Sequence, residues 1–173
     1  MARLTEQHWL RPDWDPGLTI AHLPLPHFTA RGIQAAVLDV DRTLLPGRDI
    51  NLPQPVRVWL EDAARRFQLH LFSNNPCRAR IAAVADQLGV SFTAGASKPR
   101  RGALRRVMLD FDLPPERIAM VGDRLFTDVL CGNRLGLYTV LVRPVRDDGN
   151  PCHKDQVQRF ERSLARLLGV PTA

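Results

Sequence analysis

The sequence has few cysteines, almost no lysine and no long apolar run, and each shortage excludes a class of protein. Cys77, Cys131 and Cys152 show neither the CxxC spacing of a metal site nor a disulfide framework, so we expect a reducing, cytoplasmic setting. The apolar runs are too short to cross a bilayer, and the N-terminus lacks a basic segment that leads into an apolar one. We therefore expect neither a transmembrane helix nor a secretory signal.

Aromatic residues make up only 6% of the chain, and they form no RNA-binding pattern. Because zinc-finger spacing and a basic recognition helix are also missing, no nucleic acid partner is expected. The formal net charge is nonetheless +6, and arginine carries nearly all of it, since lysine occurs only at Lys98 and Lys154. A basic balance suits an anionic partner such as a phosphate ester or an acidic lipid.

Strand and helix patterns alternate regularly along most of the 173 residues, of which 45% are hydrophobic. The patterns predict strands at 35–40, 68–72, 90–93, 118–121 and 138–142, and helices at 55–66, 78–88, 101–109, 126–135 and 156–168. Repeated β–α units of this kind favour an α/β fold with a doubly wound parallel sheet. We assign residues 35–173 to one domain with this fold.

Residues 1–34 precede the first predicted strand and form an N-terminal arm. The arm contains Trp9 and Trp14, and several prolines that exclude a long helix. One interpretation is an arm that packs on the domain. The other is an interfacial segment that rests on lipid headgroups, because tryptophan favours that layer and arginines lie nearby. The second interpretation would place the protein peripherally on an anionic membrane surface.

The stretch AAVLDVDRT at residues 35–43 is the most informative part of the chain. An apolar run typical of a buried parallel strand ends in Asp39 and Asp41, and the hydroxyl of Thr43 follows. Open α/β sheets hold their ligands at the carboxyl ends of the strands. Two carboxylates there can divide a reaction, since one can attack while the other moves protons. Taken alone, the pair is equally compatible with a simple end of a strand.

Further polar side chains follow other predicted strands, and in a parallel sheet these ends converge on one edge. These residues are Ser73, Asn74, Asn75, Lys98, Asp123 and Asp128. Carboxylates without soft ligands select a hard cation such as Mg²⁺. The cation and Lys98 would neutralise phosphoryl oxygens, which lets a carboxylate approach a phosphate group. The set therefore predicts phosphoryl transfer by positioning and charge neutralisation.

The order of these motifs resembles the haloacid dehalogenase-like (HAD) phosphatases, from about residue 35 to residue 142. The residues that carry the resemblance are Asp39, Asp41, Thr43, Ser73, Lys98, Asp123 and Asp128. The resemblance implies a HAD-like Rossmannoid fold, a Mg²⁺ cofactor and an aspartyl-phosphate intermediate. It implies that Asp39 is the nucleophile and that Asp41 protonates the leaving oxygen and then activates water. The second aspartate argues for a phosphatase, because dehalogenases of this superfamily lack it.

The same resemblance assigns roles to the remaining groups. The implied substrate-binding residues are Thr43, Ser73, Asn74 and Lys98, and the implied catalytic set is Asp39, Asp41, Ser73 and Lys98. The implied metal ligands are Asp39, the backbone carbonyl of Asp41, and Asp123, with Asp128 supporting Lys98 or the metal shell. Arg42 departs from the small or amide residue common after the second aspartate, which affects the loop over the site.

Cap insertions in this superfamily follow the first or the second motif, and neither gap in this chain is long enough to hold one. We therefore expect a capless, open site that accepts a large or surface-embedded substrate. The stretch GDRLFTDVLCGNRLGLYTVLV at 122–142, the Ser-Asn-Asn turn and Leu10-Arg11-Pro12-Asp13 resemble the subfamily IIIA proteins of the YqeG type. That branch includes phosphatidylglycerophosphate phosphatases, so the resemblance implies hydrolysis of phosphatidylglycerophosphate to phosphatidylglycerol.

Two other functions stay open on the sequence alone. The first is a phosphatase for a soluble nucleotide, sugar phosphate or phosphoprotein, because a fold does not determine a substrate. The second is a non-catalytic binding module for a nucleic acid or a protein complex, against which the intact motif set argues. The sequence leaves the oligomeric state open.

Overall fold

Five parallel strands form the central sheet of the computed structural model, which describes residues 9–152 and 155–170. The strands are β1 (Ala35–Leu38), β2 (Gln68–Phe72), β3 (Ser91–Thr93), β4 (Ile118–Gly122) and β5 (Tyr138–Leu141). They lie in the order β3-β2-β1-β4-β5, so the chain winds outward in both directions from β1 at the centre. This doubly wound arrangement confirms the predicted fold class and brings the carboxyl ends of β1, β2 and β4 to one edge.

Helices cover both faces of the sheet. They are α1 (Leu25–Ala30), α2 (Gln54–Ala64), α3 (Arg78–Asp86), α4 (Gly102–Phe111), α5 (Leu130–Asn133) and α6 (Gln156–Leu167). Strand side chains alternate between the two faces. Leu38 accordingly packs in the core with residues of α2 and α3, such as Leu60, whereas Val37 packs in the opposite core with Leu104 of α4. The continuous burial of β1 and β4 is therefore explained by cover on both sides.

The described part of the predicted arm, residues 9–34, lies against the sheet and the helices. Trp14 extends the edge at β5, since its N–H donates to Thr139 at 3.0 Å and its carbonyl accepts from Leu141 at 2.9 Å. The Trp14 ring stacks on His27, with 3.8 Å between ring centroids, and Phe28 is buried in the core. Residues 1–8 of the arm lie outside the described residues, as do Lys154 and residues 171–173 of the predicted domain.

The predicted helix at 126–135 differs from the structure. The segment Leu125–Val129 forms a π-helical turn, and only Leu130–Asn133 is α-helical. Asp128 lies in the π turn, and its Oδ2 accepts a hydrogen bond from the Arg124 N–H at 3.1 Å. Such wide turns often occur at functional sites. Here the wider turn holds a carboxylate beside the end of β4.

The two gaps expected to be too short for a cap are filled by ordinary elements. A loop and α2 occupy the stretch between β1 and β2, and α3 and β3 occupy the stretch from Ser73 to Lys98. All these residues are described, so the prediction of a capless fold is confirmed. Over the described ranges 9–152 and 155–170, the structure has no helix with the length and apolarity needed to cross a membrane.

Candidate active site

Three carboxylates meet at the carboxyl edge of the sheet. Asp39 follows β1, Asp123 follows the neighbouring β4, and Asp128 comes from the π turn. All three residues are buried, and one oxygen from each lies within 4.8 Å of the others. The pairing of β1 with β4 places Asp39 beside Asp123, because Leu38 lies opposite Val121 in the register. Adjacent parallel strands thus bring together Asp39 and Asp123, which lie more than eighty residues apart in the sequence.

The Lys98 ammonium occupies the gap between two of these carboxylates. Its Nζ lies 2.6 Å from Asp39 Oδ1 and 2.7 Å from Asp128 Oδ1, and it donates to the carbonyl of Phe72 at 3.0 Å. Burial opposes the charge of Lys98, but the carboxylates of Asp128 and Asp39 raise its pKa above the usual value. The ammonium therefore stays charged and holds two acidic groups side by side.

Asn74, which follows β2, positions Lys98, which follows β3. The Asn74 side-chain Nδ2 donates to the Lys98 carbonyl at 3.1 Å, and its Oδ1 accepts from the Lys98 N–H at 2.7 Å. Both hydrogen-bonding ends of the amide are therefore committed to the backbone of one residue. This contact shows a positioning function, while the predicted contact of Asn74 with substrate stays a prediction.

Asp41 is held at the rim of the site by two side chains. Ser73 is fully buried, and its Oγ donates to Asp41 Oδ2 at 3.2 Å while accepting from the Asn75 N–H at 3.0 Å. Arg80 of α3 donates to Asp41 Oδ1 at 2.7 Å. The Arg80 guanidinium also binds carbonyls of the loop after β1, including Gly47 at 2.9 Å. The loop, Asp41 and α3 are therefore joined by one cation.

Thr43 lies behind the nucleophile candidate. It is fully buried, and its Oγ1 donates to Asp39 Oδ2 at 3.0 Å. Since Lys98 binds Oδ1, both oxygens of Asp39 are fixed in direction. The hydroxyl of Thr43 thus serves the orientation of Asp39, and its predicted contact with substrate stays a prediction.

The pKa values of the cluster reflect burial of several acids together. Burial raises the pKa of Asp39 to about 6, against the opposing effect of the Lys98 charge. Burial also raises the pKa of Asp123, and the neighbouring charges of Asp39 and Asp128 raise it further. These carboxylates repel one another, and one extra cation among them would relieve the repulsion.

The donor set fits a hard divalent cation. The buried Oδ2 of Asp123 accepts no hydrogen bond, and its nearest cationic atoms are Arg124 Nε at 3.7 Å and Arg42 Nε at 4.0 Å. A buried carboxylate oxygen that accepts no hydrogen bond and lies beside two other carboxylates is the kind of environment that Mg²⁺ occupies. The Asp41 carboxylate is instead paired with Arg80, so any contribution from this residue to a metal would come from its backbone carbonyl.

Helix α6 supports the site from the far end of the chain, a contribution that sequence reasoning missed. Gln158 Nε2 donates to the carbonyls of Asp123 at 2.7 Å and Val142 at 2.9 Å. Glu161 Oε2 accepts from the Leu125 N–H at 3.0 Å, and Asp155 pairs with Arg42. Polar residues on a surface helix carry no sequence signal for such contacts, whereas Arg42 stands out in the sequence as a departure from the motif.

A cleft of about 240 Å³ opens over these groups. The predicted site residues that line it are Asp39, Asp41, Asn74, Lys98 and Asp123. Arg42, Arg124, Thr127 and Glu161 complete its walls. Thr43, Ser73 and Asp128 lie behind this lining and hydrogen-bond or pair with it. The structure therefore brings together the residues predicted from separate motifs.

Comparisons with known proteins agree with this geometry. A family model described as HAD-hydrolase-like matches residues 95–156. The "probable phosphatase YqeG" of Bacillus subtilis is 32% identical over 151 residues, which cover 86% of this chain and 84% of that protein. Phosphatidylglycerophosphate phosphatase 1 of Arabidopsis thaliana is 28% identical over 145 residues, or 79% of this chain. The match spans 42% of the Arabidopsis protein, less than half of its length.

One solved structure shares the fold over most of its length. It is 3-deoxy-D-manno-octulosonate 8-phosphate phosphatase from Moraxella catarrhalis, with magnesium, phosphate and KDO bound. The TM-score is 0.52 at 13% identity, over 83% of this chain and 92% of that one. At this identity the likeness concerns the fold alone.

Proposed function

This chain belongs to the YqeG group of HAD-like phosphatases, and we propose that it hydrolyses phosphatidylglycerophosphate to phosphatidylglycerol in a Mg²⁺-dependent reaction. The observation that carries the chemistry is the position of the Lys98 ammonium, between the carboxylates of Asp39 and Asp128 at the base of an open cleft. The Arabidopsis relative, named for this lipid substrate, supports the choice of substrate.

In the first half of the proposed reaction, an oxygen of Asp39 attacks the phosphorus atom and the ester P–O bond breaks. Asp39 must be ionised to attack, and a pKa of about 6 leaves it mostly ionised near neutral pH. Lys98 attracts the phosphoryl oxygens towards the same edge. Asp41, at the rim of the cleft, donates a proton to the departing glycerol oxygen.

In the second half, water hydrolyses the aspartyl-phosphate formed on Asp39. Asp41, now ionised, takes a proton from a water molecule, which attacks the phosphorus atom and breaks its bond to Asp39. Inorganic phosphate leaves, and Asp41 again holds the proton needed for the next leaving group. Ser73 and Arg80 orient the Asp41 carboxylate throughout.

Asp39, Asp123 and the Asp41 backbone carbonyl would hold Mg²⁺, with Asp128 beside them. The bound ion supplies positive charge that offsets the negative charge of the phosphate and of the carboxylates. The Oδ2 of Asp123, which accepts no hydrogen bond, and the raised pKa values of Asp39 and Asp123 support this assignment.

The open cleft supports a headgroup substrate. No cap domain is inserted in the described stretch from Asp39 to Lys98. A phosphate that projects from a lipid surface can therefore reach Lys98. Arg42 and Arg124 line the cleft, and the chain as a whole has a net charge of +6. Both features favour an anionic substrate in an anionic surface, with the enzyme peripheral to the membrane.

The test is phosphate release from phosphatidylglycerophosphate in mixed micelles with Mg²⁺. Turnover should vanish in Asp39→Asn, which is close in shape but cannot attack, and should stop when the metal is chelated. A panel of nucleotides and sugar phosphates is measured in parallel. Much faster turnover of a soluble ester would reject the lipid substrate, and retained activity in Asp39→Asn would reject the nucleophile.

A further inference from the structure

Helix α6 buries mainly polar residues and exposes its large apolar residues, the reverse of an ordinary surface helix. Its buried positions are Gln158, Glu161, Arg162 and Ala165, three of which are polar. The large apolar side chains of the helix face outward instead: Val157, Phe160 and Leu167 are exposed and Leu164 is half-buried. Leu168, just past the end of the helix, is also exposed. A surface helix normally buries its apolar side and exposes its polar side.

The outward apolar residues form one continuous stripe. Positions 157, 160, 164 and 167 follow the spacing of a single helical face, and Leu168 extends it at the end. Phe160 is 66% exposed and Leu167 is 85% exposed. A contiguous apolar patch of this kind, unlike scattered single residues, usually indicates an interaction surface. We call residues 157, 160, 164, 167 and 168 the α6 stripe.

The α6 stripe runs beside the catalytic cleft. Glu161 lines the cleft, and it lies one helical turn after Val157 and three residues before Leu164. Neighbours at these spacings lie next to each other on a helix. Asp155, at the start of the helix, pairs with Arg42 of the cleft wall. Whatever contacts the stripe therefore comes to lie at the edge of the active site.

We propose that the α6 stripe docks the protein on an anionic lipid bilayer, which would bring the cleft against the membrane surface. The proposal rests on the proposed lipid-phosphate function. Interfacial helices have one side rich in leucine and phenylalanine and another rich in basic residues. In α6 the exposed flank next to the stripe carries Arg159 and Arg166, and the net charge of +6 adds long-range attraction to anionic lipid.

The size of the α6 stripe argues against a second copy of the chain as its partner. A helix of 12 residues is about 18 Å long and, with its side chains, about 10 Å wide, so one face offers on the order of 200 Å². A stable protein interface buries about 800 Å² on each partner. A bilayer needs no complementary pocket, since an apolar helix face is simply immersed at the boundary between headgroups and acyl chains.

The test is co-flotation with vesicles that contain equal amounts of phosphatidylcholine and phosphatidylglycerol. Phe160→Glu and Leu167→Glu should each weaken vesicle binding about tenfold, because each change removes a large apolar side chain from the bilayer boundary. The matched control is Leu109→Glu on α4, where the side chain is 78% exposed but lies outside the stripe. This control should bind like the wild type, and pure phosphatidylcholine vesicles should bind all proteins less.

The outcome is separable from that of the proposed function. Hydrolysis of a soluble aryl phosphate should be unchanged in the stripe variants, which excludes misfolding as the cause of lost binding. Stripe-dependent flotation without turnover of phosphatidylglycerophosphate would keep the docking surface and reject the lipid substrate. Flotation equal to wild type in both stripe variants would overturn the docking surface, even with lipid turnover intact. The docking surface would also be overturned if the variants split a dimer in solution while vesicle binding persists.

Discussion

Arg80 donates a hydrogen bond to Asp41 at 2.7 Å and thereby ties the proposed general acid to helix α3. The guanidinium is half-buried and also binds the carbonyls of Gly47 and Arg48 in the loop after β1. Charged hydrogen bonds of this kind orient a carboxylate strongly. Removing Arg80 should therefore leave Asp39 and Lys98 in place while Asp41 loses its fixed direction.

We expect Arg80→Ala to lower kcat by about 10- to 100-fold, since a positioned general acid contributes roughly this much or more. The KM should change little, because Lys98 stays in place. The measurement is steady-state kinetics with the best substrate found. Arg105→Ala, which removes an exposed arginine from α4, is the control and should behave like wild type. An unchanged kcat in Arg80→Ala would mean that Ser73 alone orients Asp41.

Because Gly122 has no side chain, the carboxylate of Asp128 can lie directly against its backbone. A Cβ at position 122 would overlap the carboxylate of Asp128. We expect Gly122→Ala to displace Asp128 from Lys98, to lower the free energy of unfolding by about 2–4 kcal/mol and to reduce phosphatase activity. Urea unfolding and phosphate release measure the two effects.

The matched control for this change is Gly102→Ala at the start of α4. A Cβ there meets nothing within 4 Å, so the substitution should stabilise the protein slightly or leave it unchanged, by up to about 1 kcal/mol. If both alanine variants unfold at the same urea concentration, the close approach of Gly122 to Asp128 has no energetic importance.

Metal affinity should depend on pH through Asp39. In the metal-free fold, burial raises the pKa of Asp39 from 3.8 to about 6, so the folded protein keeps this proton to higher pH than the unfolded chain does. The metal-free protein should therefore lose stability as pH rises from about 4 to about 6, with no further loss from this group above that range. Because a metal ligand must be deprotonated, Mg²⁺ affinity should rise over the same interval and then level off.

Calorimetric titration of Mg²⁺ at about pH 5 and about pH 7, in buffers of different ionisation enthalpy, would reveal this proton release. Asp39→Asn should bind the metal more weakly and release no proton from this position. An affinity that is identical at both pH values in the wild type would contradict the role of Asp39 as a buried ligand.

His70 should make the fold less stable in acid. It lies buried on β2, where its ring nitrogens are each 2.8 Å from a hydroxyl, one of Ser91 and one of Thr93. Burial lowers the pKa of His70 to about 4, whereas the unfolded chain takes up the proton near 6.5. As pH falls from about 6.5 to about 4, protonation favours the unfolded state, and the free energy of unfolding should drop by about 3 kcal/mol.

The comparison is urea unfolding of wild type and His70→Gln at about pH 5 and about pH 7. The variant should be less stable at neutral pH, since it loses part of the hydroxyl contacts, but its stability should decline less in acid. An equal decline in both proteins would assign the acid sensitivity to the carboxylates instead.

The predictions from sequence succeeded where one local pattern decides the structure. Apolar runs bounded by polar residues located all five strands, and Asp39, Ser73 and Asp123 were placed at strand ends because each polar residue comes at the end of an apolar run. Lys98 was selected for its rarity and its position after β3. These inferences needed no knowledge of which elements touch, since parallel strands always bring their carboxyl ends to one edge.

The contacts of Arg80, Gln158 and Glu161 could not be predicted, because nothing nearby in sequence identifies their partners. Asp41 lies 39 positions from Arg80, and the backbone of Asp123 lies 35 positions from Gln158. The hydrophobic pattern of α6 shows that the helix has an apolar side, but not which side meets the sheet. Packing decided this, because the polar side of α6 satisfies buried backbone groups of the active site. The sequence by itself thus determined the sheet and the reacting groups. Only the tertiary structure decided how those groups are held, and which face of α6 meets the solvent.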